Sequence, residues 1–342
     1  MTQKLLTVVI PTYNMEKYLR SCLDSLIVSP ELMALLEVLM VNDGSKDASS
    51  AIGHEYEAKF PGTFRVIDKE NGNYGSCVNR GLAEATGKYF RLLDADDRFD
   101  SAAFAKYLET AKTLDVDLIL NERVFVRPSG EVVKKSSSRF PELTEFEFFP
   151  TTEFPVMHCV AYKTENLRRI GYRQTEGISY TDRQFVFTPV ATAKRAFFMR
   201  EYLYLYLVGR EGQTMTPATM LRNMDHQTKG LKDMLTVYSQ SSYSGDAAVW
   251  MKERLKRWLQ MLYVDVLIRY NDEKNAALIG FDDFFKEQYP SLYAESEAWL
   301  IMSHKFKHKF ARYWRAHKKM NRLDFFIPLY RLFLKRFKRS VF

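Results

Sequence analysis

The sequence predicts an α/β fold built on a doubly wound, mostly parallel sheet, and three observations predict it. Strand, loop and helix patterns repeat three times in the first hundred residues. The strand-like runs are apolar throughout, as strands buried on both faces are. Asp and Asn gather where these runs end, and open α/β sheets bind ligands outside the carboxyl ends of their strands.

Leu5 to Ile10 reads as the first strand, ended by Pro11-Thr12-Tyr13-Asn14. Residues 15–28 place Tyr18, Leu19, Cys22, Leu23, Leu26 and Ile27 on one helical face. Leu36 to Val41 is a second buried strand, ending at Asn42-Asp43-Gly44-Ser45, and Asp47 can cap a helix that runs to about Lys59. Phe64 to Asp68 is a third strand and residues 76–86 a helix. Tyr89 to Leu93 is a fourth strand, ending at Asp94-Ala95-Asp96-Asp97. Residues 100–112 read as helix, Val116 to Val126 as a strand region and 127–150 as loop-like and mixed. From about 219 to 300 the pattern is helical, through Trp250, Leu255, Trp258, Leu259, Leu262 and Val266.

Composition narrows the class. The 342 residues suit one large domain, or a catalytic domain with an appendage. With 46% hydrophobic and 14% aromatic residues, disorder of the whole chain is excluded. Three scattered cysteines without a CxxC pair argue against a disulfide framework and fit a reducing cytosol. The one early apolar run is short and stops at Pro11, so no signal peptide is expected. Nothing reaches the roughly 18 apolar residues that span a bilayer.

Charge is divided unevenly. The chain nets +8, whereas Ser303 to Phe342 holds 13 Lys and Arg against Asp324 alone, a local +12 that leaves −4 for residues 1–302. A mildly acidic body with a basic tail disfavours uniform coating of nucleic acid and favours an anionic partner for the tail.

Each strand-end loop has a chemical reading and a plain one. Three carboxylates in Asp94-Ala95-Asp96-Asp97 repel unless compensated. Hard oxygen ligands suit Mg²⁺ or Mn²⁺, but a solvated acidic turn looks the same. Asp43 can accept from a base N–H or a ribose hydroxyl, and Asp43-Gly44 is also ordinary turn chemistry. Gly72-Asn73-Tyr74-Gly75-Ser76 leads into a helix N-terminus, where phosphate can be cradled. It is neither a Walker A loop nor a GxGxxG fingerprint.

Four motifs occur in order: Val8-Val9-Ile10-Pro11-Thr12-Tyr13-Asn14; Val41-Asn42-Asp43-Gly44-Ser45-Lys46-Asp47; Asn71-Gly72-Asn73-Tyr74-Gly75 with Asn79-Arg80-Gly81-Leu82; and Gly87-Lys88-Tyr89-Phe90-Arg91-Leu92-Leu93-Asp94-Ala95-Asp96-Asp97. Together they resemble the N-terminal half of a family 2 glycosyltransferase of the GT-A fold. The clear match covers residues 5–100 and a looser one runs to about 215. The resemblance implies an inverting transferase that uses a nucleotide-diphospho-sugar, usually a UDP-sugar, with Mg²⁺ or Mn²⁺. It implies that Pro11, Thr12, Tyr13 and Asn14 line the nucleotide pocket and that Asp43 holds the base. Gly75 and Asn79 would lie at the phosphates or ribose, although the family often has Arg where this chain has Val78. Asp94, Ala95 and Asp96 form the DxD-type motif, with Asp96 and Asp94 toward the metal.

Inverting transfer needs a carboxylate to take the acceptor's proton. Ile178-Ser179-Tyr180-Thr181-Asp182-Arg183-Gln184-Phe185 resembles the family's acidic segment, with Thr181-Asp182 in place of its Glu-Asp pair. That points to Asp182 as base, with Glu176 the weaker candidate. Asp182 can also cap a helix starting near Gln184. Tyr206 to Thr214 resembles a later loop of the family that closes on the diphosphate, Arg210 serving as clamp with Gln213 and Thr214 as donors. His158, in the apolar run Val156 to Val160, reads as a core histidine before an acceptor contact. Cys77 and Cys159 read as small buried hydrophobes.

In the tail, Phe306, Phe310, Tyr313, Trp314 and His317 share one face of a helix expected over His304 to Lys319, followed by Phe325 to Leu334 and two basic pairs. Such helices lie in a membrane interface, each near-surface cation adding roughly 1 kcal/mol on anionic lipid. Packing of the same face on the helical region is the alternative. Single-stranded nucleic acid is a third reading, disfavoured because no nucleic-acid motif is present.

The expectation is therefore a GT-A catalytic domain at 1–218, with its nucleotide-sugar half near 1–100 and acceptor half near 101–218. A helical region at 219–302 and a basic aromatic amphipathic tail at 303–342 complete it. The enzyme would be cytoplasmic, peripheral on the inner face of the membrane and possible as an oligomer. It would act on a glycan or polyprenyl-linked acceptor in cell-surface polysaccharide assembly. A sugar nucleotidyltransferase would show a Gly-rich, Arg- or Lys-containing signature at the first strand, which Pro11-Thr12-Tyr13-Asn14 lacks. A degenerate binding subunit would not need an intact DxD and a base.

Overall fold

The computed structural model describes residues 4–136, 143–145, 155–210, 217–266, 275–299, 301–303 and 306–316. It divides into two compact units. One comprises Met1–Gln213 and Ser241–Met251, the other Thr214–Gln240 and the chain from Lys252.

In the first unit β1 (Leu6–Thr12), α1 (Glu16–Asp24), α2 (Pro30–Met33), β2 (Leu36–Asn42), α3 (Ser49–Lys59), β3 (Phe64–Asp68), α4 (Asn73–Glu84) and β4 (Tyr89–Leu92) follow the expected alternation. The strands lie in the order β3-β2-β1-β4, all parallel. All seven residues of β1 are buried. Leu6, Val8 and Ile10 join Leu19, Cys22, Leu23 and Leu26 in one core. Val9 points the other way, onto α4, and a Cβ at Gly81 would lie 2.6 Å from its methyl groups. Glycine is thus what lets α4 lie close to β1. Each fully buried aliphatic contributes about 1.5–3 kcal/mol, so this two-sided burial fixes the loops at the strand ends.

The sheet continues through the second half of the unit. The elements are β5 (Arg98–Phe99), α5 (Ser101–Ala111), β6 (Leu118–Val126), β7 (Val132–Lys135), β8 (Leu143–Glu145), a 3-10 turn (Met157–Cys159), β9 (Val160–Lys163), α6 (Thr164–Arg169), α7 (Asp182–Phe185), α8 (Thr188–Ala191) and β10 (Arg195–Leu207). From β4 the order is β9-β6-β10-β5, with β7 on β6 and β8 on β10. Among the described residues only β6 and β10 pair in parallel here, which makes this half mixed. The β10 register slips between Met199 and Tyr202 and again between Tyr202 and Tyr204. Bulges of this kind re-aim side chains, and the residues beyond them, Tyr204 to Leu207, reach the candidate site.

The second unit is helical: α9 (Pro217–Arg222), α10 (Met224–Gln240), the part of α11 (Gly245–Val264) from Lys252, α12 (Asn275–Gln288), α13 (Pro290–Ser296), a short hairpin of β11 (Ile301–Ser303) and β12 (Phe306–His308), and α14 (Phe310–Ala316). Asp282 is wholly buried and receives Arg315 Nη2 at 2.7 Å, together with the hydroxyls of Tyr263 and Tyr293. Arg315 Nη1 donates to Ser296 Oγ and Glu297 Oε1 at 2.8 and 2.9 Å.

Two expectations are corrected. The helix expected from His304 starts only at Phe310, because a hairpin occupies the preceding stretch. Trp314, assigned to a membrane-facing stripe, is 1% exposed and its ring meets Tyr263, the packing alternative at that residue. Residues 317–342, the rest of the tail, lie outside the described residues. Among the described residues no helix is long and apolar enough to cross a membrane.

Candidate active site

The acidic loop after β4 is the centre of the site. Asp97 is buried, and both its oxygens are engaged: Tyr204 Oη donates to one at 2.7 Å and the Leu207 amide to the other at 2.6 Å. Asp96 takes the guanidinium Nε of Arg210, and Arg210 also lies over the Tyr18 ring. Asp94 Oδ1 accepts from Tyr74 Oη at 2.7 Å, and His158 Nε2 lies 3.3 Å from its Oδ2. Ala95 is buried in the core and anchors the loop.

Electrostatics here are unfavourable by themselves. Burial raises the Asp97 carboxyl well above the usual range, and the Asp96 and Asp94 charges add to the shift. Burial and Asp94 raise Asp96 as well, against Arg210. Burial, with Asp94 beside them, holds the Tyr74 and Tyr204 phenols protonated and able to donate. Such a cluster fits a hard divalent cation, which would relieve the repulsion. Asp94, Asp97 and His158 bring one ligand atom each within 4.8 Å of one another. Asp97 is the most deeply buried of these, and its two oxygens are held by the Tyr204 hydroxyl and the Leu207 amide. Asp96 and Asp94 are the less buried carboxylates.

The ends of β1 and β2 are stitched together. Lys46 N donates to Asn14 Oδ1 at 2.8 Å, and Asn14 N to Ser45 Oγ at 3.0 Å. Asp47 accepts from Glu16 N and Ser49 N, each at 3.0 Å. Pro11 and Thr12 are buried, whereas Tyr13 is exposed beside them. Asp43 is buried, its Oδ1 receiving Lys69 Nζ at 2.5 Å and Gly72 N at 2.9 Å. Lys69 also donates to Ser76 Oγ at 2.9 Å.

Helix α4 begins at Asn73, three residues earlier than expected, so the glycine-rich segment is its first turn. Gly75 and Asn79, expected at the donor, have another neighbour. A Cβ at Gly75 would lie 2.2 Å from the Thr175 carbonyl oxygen. Asn79 pairs with the Gln174 main chain in both directions, at 2.8 and 2.9 Å, and donates to Glu176 at 2.8 Å. These contacts seat the segment that leads to Asp182. Asp182 is the first residue of α7 rather than its cap, is exposed, and lies close enough to Tyr74 to raise that phenol. The non-glycine residues with positive φ are Asn14, Asn73 and Tyr180, among the described residues. Asn14 and Tyr180 stand in loops of this site and Asn73 is the first residue of α4, positions where strained backbone is commonly retained for function.

Sequence reasoning missed Lys69, Tyr74, Arg123 and Tyr204. Tyr204 is 107 residues from Asp97, and no local pattern announces such a contact. Cys22, Cys77 and Cys159 are buried and free, as small core residues are.

A four-strand parallel half-sheet, a mixed second half and an acidic loop at the seam define a GT-A transferase fold. The family model "Glycosyl transferase family 2" matches residues 7–171. The chain is 27% identical over 252 residues to "Uncharacterized glycosyltransferase EpsJ" of Bacillus subtilis, covering 70% of this chain and 72% of EpsJ. It is 26% identical over 214 residues to the "Minor teichoic acid biosynthesis protein GgaB" of the same organism, covering 61% of this chain and 23% of GgaB. Among solved structures, S. aureus TarS 1–349 superposes with a TM-score of 0.61 at 19% identity, covering 85% of this chain and 82% of that one. Its complex with UDP-GlcNAc gives 0.53 at 18% identity, covering 89% and 95%. Residues 7–171 match glycosyltransferase family 2, and the enzyme is a glycosyltransferase.

Proposed function

We propose that the enzyme moves a sugar from a UDP-sugar to a glycan or polyprenyl-linked acceptor by single displacement with inversion, in cell-surface polysaccharide assembly. The observation that carries this reading is the acidic loop Asp94-Ala95-Asp96-Asp97 after β4, with the exposed carboxylate of Asp182 close enough to act on Tyr74, which donates to Asp94. The resemblance to GgaB and to TarS, which was solved with UDP-GlcNAc, supports the acceptor class and the donor nucleotide.

Asp182 takes the proton from the acceptor hydroxyl as the hydroxyl attacks the anomeric carbon. Its exposure leaves it reachable by an acceptor. Asp94 and Asp96 would hold Mg²⁺ or Mn²⁺, which supplies charge stabilisation at the diphosphate leaving group. Pro11, Thr12, Tyr13, Asn14 and Asp43 form the wall for the nucleoside. Arg210, in the loop that follows β10, is the cationic clamp for the diphosphate. Gly75 and Asn79 serve by seating the 174–176 segment before Asp182.

The catalytic domain is assigned to 1–218, the helical region to 219–302 and the basic tail to 303–342. The tail, at +12, is assigned to an anionic membrane surface on the cytoplasmic side. Trp314 and Arg315, being inside the second unit, are not part of that contact.

The test is transfer or hydrolysis across a panel of UDP-sugars with Mg²⁺ or Mn²⁺. One donor is expected to turn over, and Asp182→Asn is expected to bind it while losing at least about 100-fold in rate. Undiminished transfer by Asp182→Asn would remove the base assignment.

A further inference from the structure

His158 is largely enclosed beside the acidic loop, its side chain 12% exposed. Its ring stands edge-on between Tyr204 and Tyr206, with centroids 5.0 and 4.9 Å away. Its carbonyl accepts from Arg91 Nη2 at 3.2 Å. Arg91 is itself wholly buried against the rings of Phe99 and Tyr107. The imidazole is therefore fixed from both its ring and its main chain.

The two ring nitrogens meet opposite partners. Nδ1 lies 3.3 Å from Arg123 Nη1, and Nε2 lies 3.3 Å from Asp94 Oδ2. A guanidinium offers only N–H groups, so Nδ1 must be the acceptor. The proton of the neutral ring then sits on Nε2, facing Asp94. Arg123 is held for this task by stacking on Phe125 and Tyr206. A metal bound through Nε2 would force that proton onto Nδ1, directly against Arg123.

We propose that His158 is a positioning residue that holds Asp94 through Nε2–H, with Arg123 selecting the tautomer, and that His158 is not itself a metal ligand. With Tyr74 donating to Oδ1 and His158 Nε2 3.3 Å from Oδ2, the Asp94 carboxylate is held at both oxygens and its remaining lone pairs favour one orientation. This rests on the reading of Asp94 as a donor-side carboxylate, but the tautomer can be read without any turnover.

Long-range ¹H–¹⁵N correlation NMR on ¹⁵N-histidine-labelled enzyme reports the tautomer directly, with His158 assigned from the signal lost in His158→Gln. The Nε2–H pattern is expected, and it should persist when Mg²⁺ is added to saturation. An Nδ1–H pattern, or an Nε2 shift to a metal-bound position on adding Mg²⁺, would overturn the proposal. Kinetically, His158→Leu should lower kcat/KM about 10–100-fold. His158→Gln, whose amide N–H₂ reaches the same oxygen, should recover most of that loss. Equal losses in two folded variants would also overturn it. If no donor turns over at all, the proposed function fails while the NMR result still decides the tautomer.

Discussion

Arg210 and Asp96 form an ion pair across 114 residues of sequence, with side chains only 8% and 17% exposed. Arginine thereby sits on a carboxylate that the proposed chemistry assigns to a divalent metal. The two cations compete for one anion, and the diphosphate offers Arg210 an alternative partner.

Arg210→Gln is therefore expected to tighten Mn²⁺ binding in the absence of nucleotide while slowing transfer. A charge-assisted hydrogen bond contributes about 1.5–3 kcal/mol, so a gain of roughly tenfold or more is expected. Calorimetric titration with Mn²⁺ measures it. Unchanged or weaker binding would mean that Arg210 does not compete with the ion.

Asp97→Asn should stabilise the metal-free protein. It removes one buried charge from the cluster; the Asn carbonyl oxygen still accepts from the Leu207 amide, and its N–H₂ takes the place of the second oxygen and donates to Tyr204 Oη. Burial, with Asp96 and Asp94 beside it, raises the Asp97 carboxyl in the folded state, so the fold binds its proton more tightly than the unfolded chain does. Wild-type stability then falls as pH rises above the unfolded carboxyl value of about 3.9. The advantage of Asn should grow from acidic toward neutral pH, reaching about 2–4 °C in Tm for each kcal/mol. A lower Tm for Asn at pH 7 in EDTA would contradict this.

Gly75→Ala should cost about 1–3 kcal/mol and depress kcat. The added carbon would meet the Thr175 carbonyl oxygen at 2.2 Å, and main chain cannot swing aside as a side-chain tip can. Gly280→Ala is the contrasting substitution. Its Cβ meets nothing within 4 Å on α12, so about 0.4–1 kcal/mol of added stability is expected. Urea unfolding of both variants separates the two cases.

Asp282→Ala should cost about 3–5 kcal/mol, because it leaves the Arg315 guanidinium buried without its main anion. Replacing Asp282 and Arg315 together should cost less than the two single changes summed. Additive losses in chemical denaturation would deny the coupling.

How much of this was legible in the sequence depended on distance along the chain. Strand ends and their carboxylates were readable because buried parallel strands leave uninterrupted aliphatic runs, and Asp43, Asp94 and Asp96 follow such runs directly. Asp182 was reachable through its local segment. Tyr204 and Arg123 were not, since their roles arise only when β10 and β6 pair in parallel past two register slips. Gly75 and Asn79 were read as donor contacts because a glycine-rich helix entry suits phosphate, and only the folded chain shows the 174–176 segment already there. His158 looked like a core residue, and burial is indeed half of its situation. The other half is the pair of opposite charges at its two nitrogens.

The Arg315 clasp bears on how the basic tail can be dissected. A cut near Met302 would remove all 13 cations of the last forty residues, but it would also pull out Trp314 and the guanidinium that fills the Asp282 pocket. Loss of vesicle binding by such a protein would confuse a missing electrostatic address with a collapsed helical unit. A stop codon after Ala316 spares both side chains and still deletes Lys318, Lys319, Arg322, Arg331, Lys335, Arg336, Lys338 and Arg339. Cutting there keeps the Arg315 cation that holds the helical unit together and leaves the eight cations beyond Ala316 as the variable whose vesicle binding is measured.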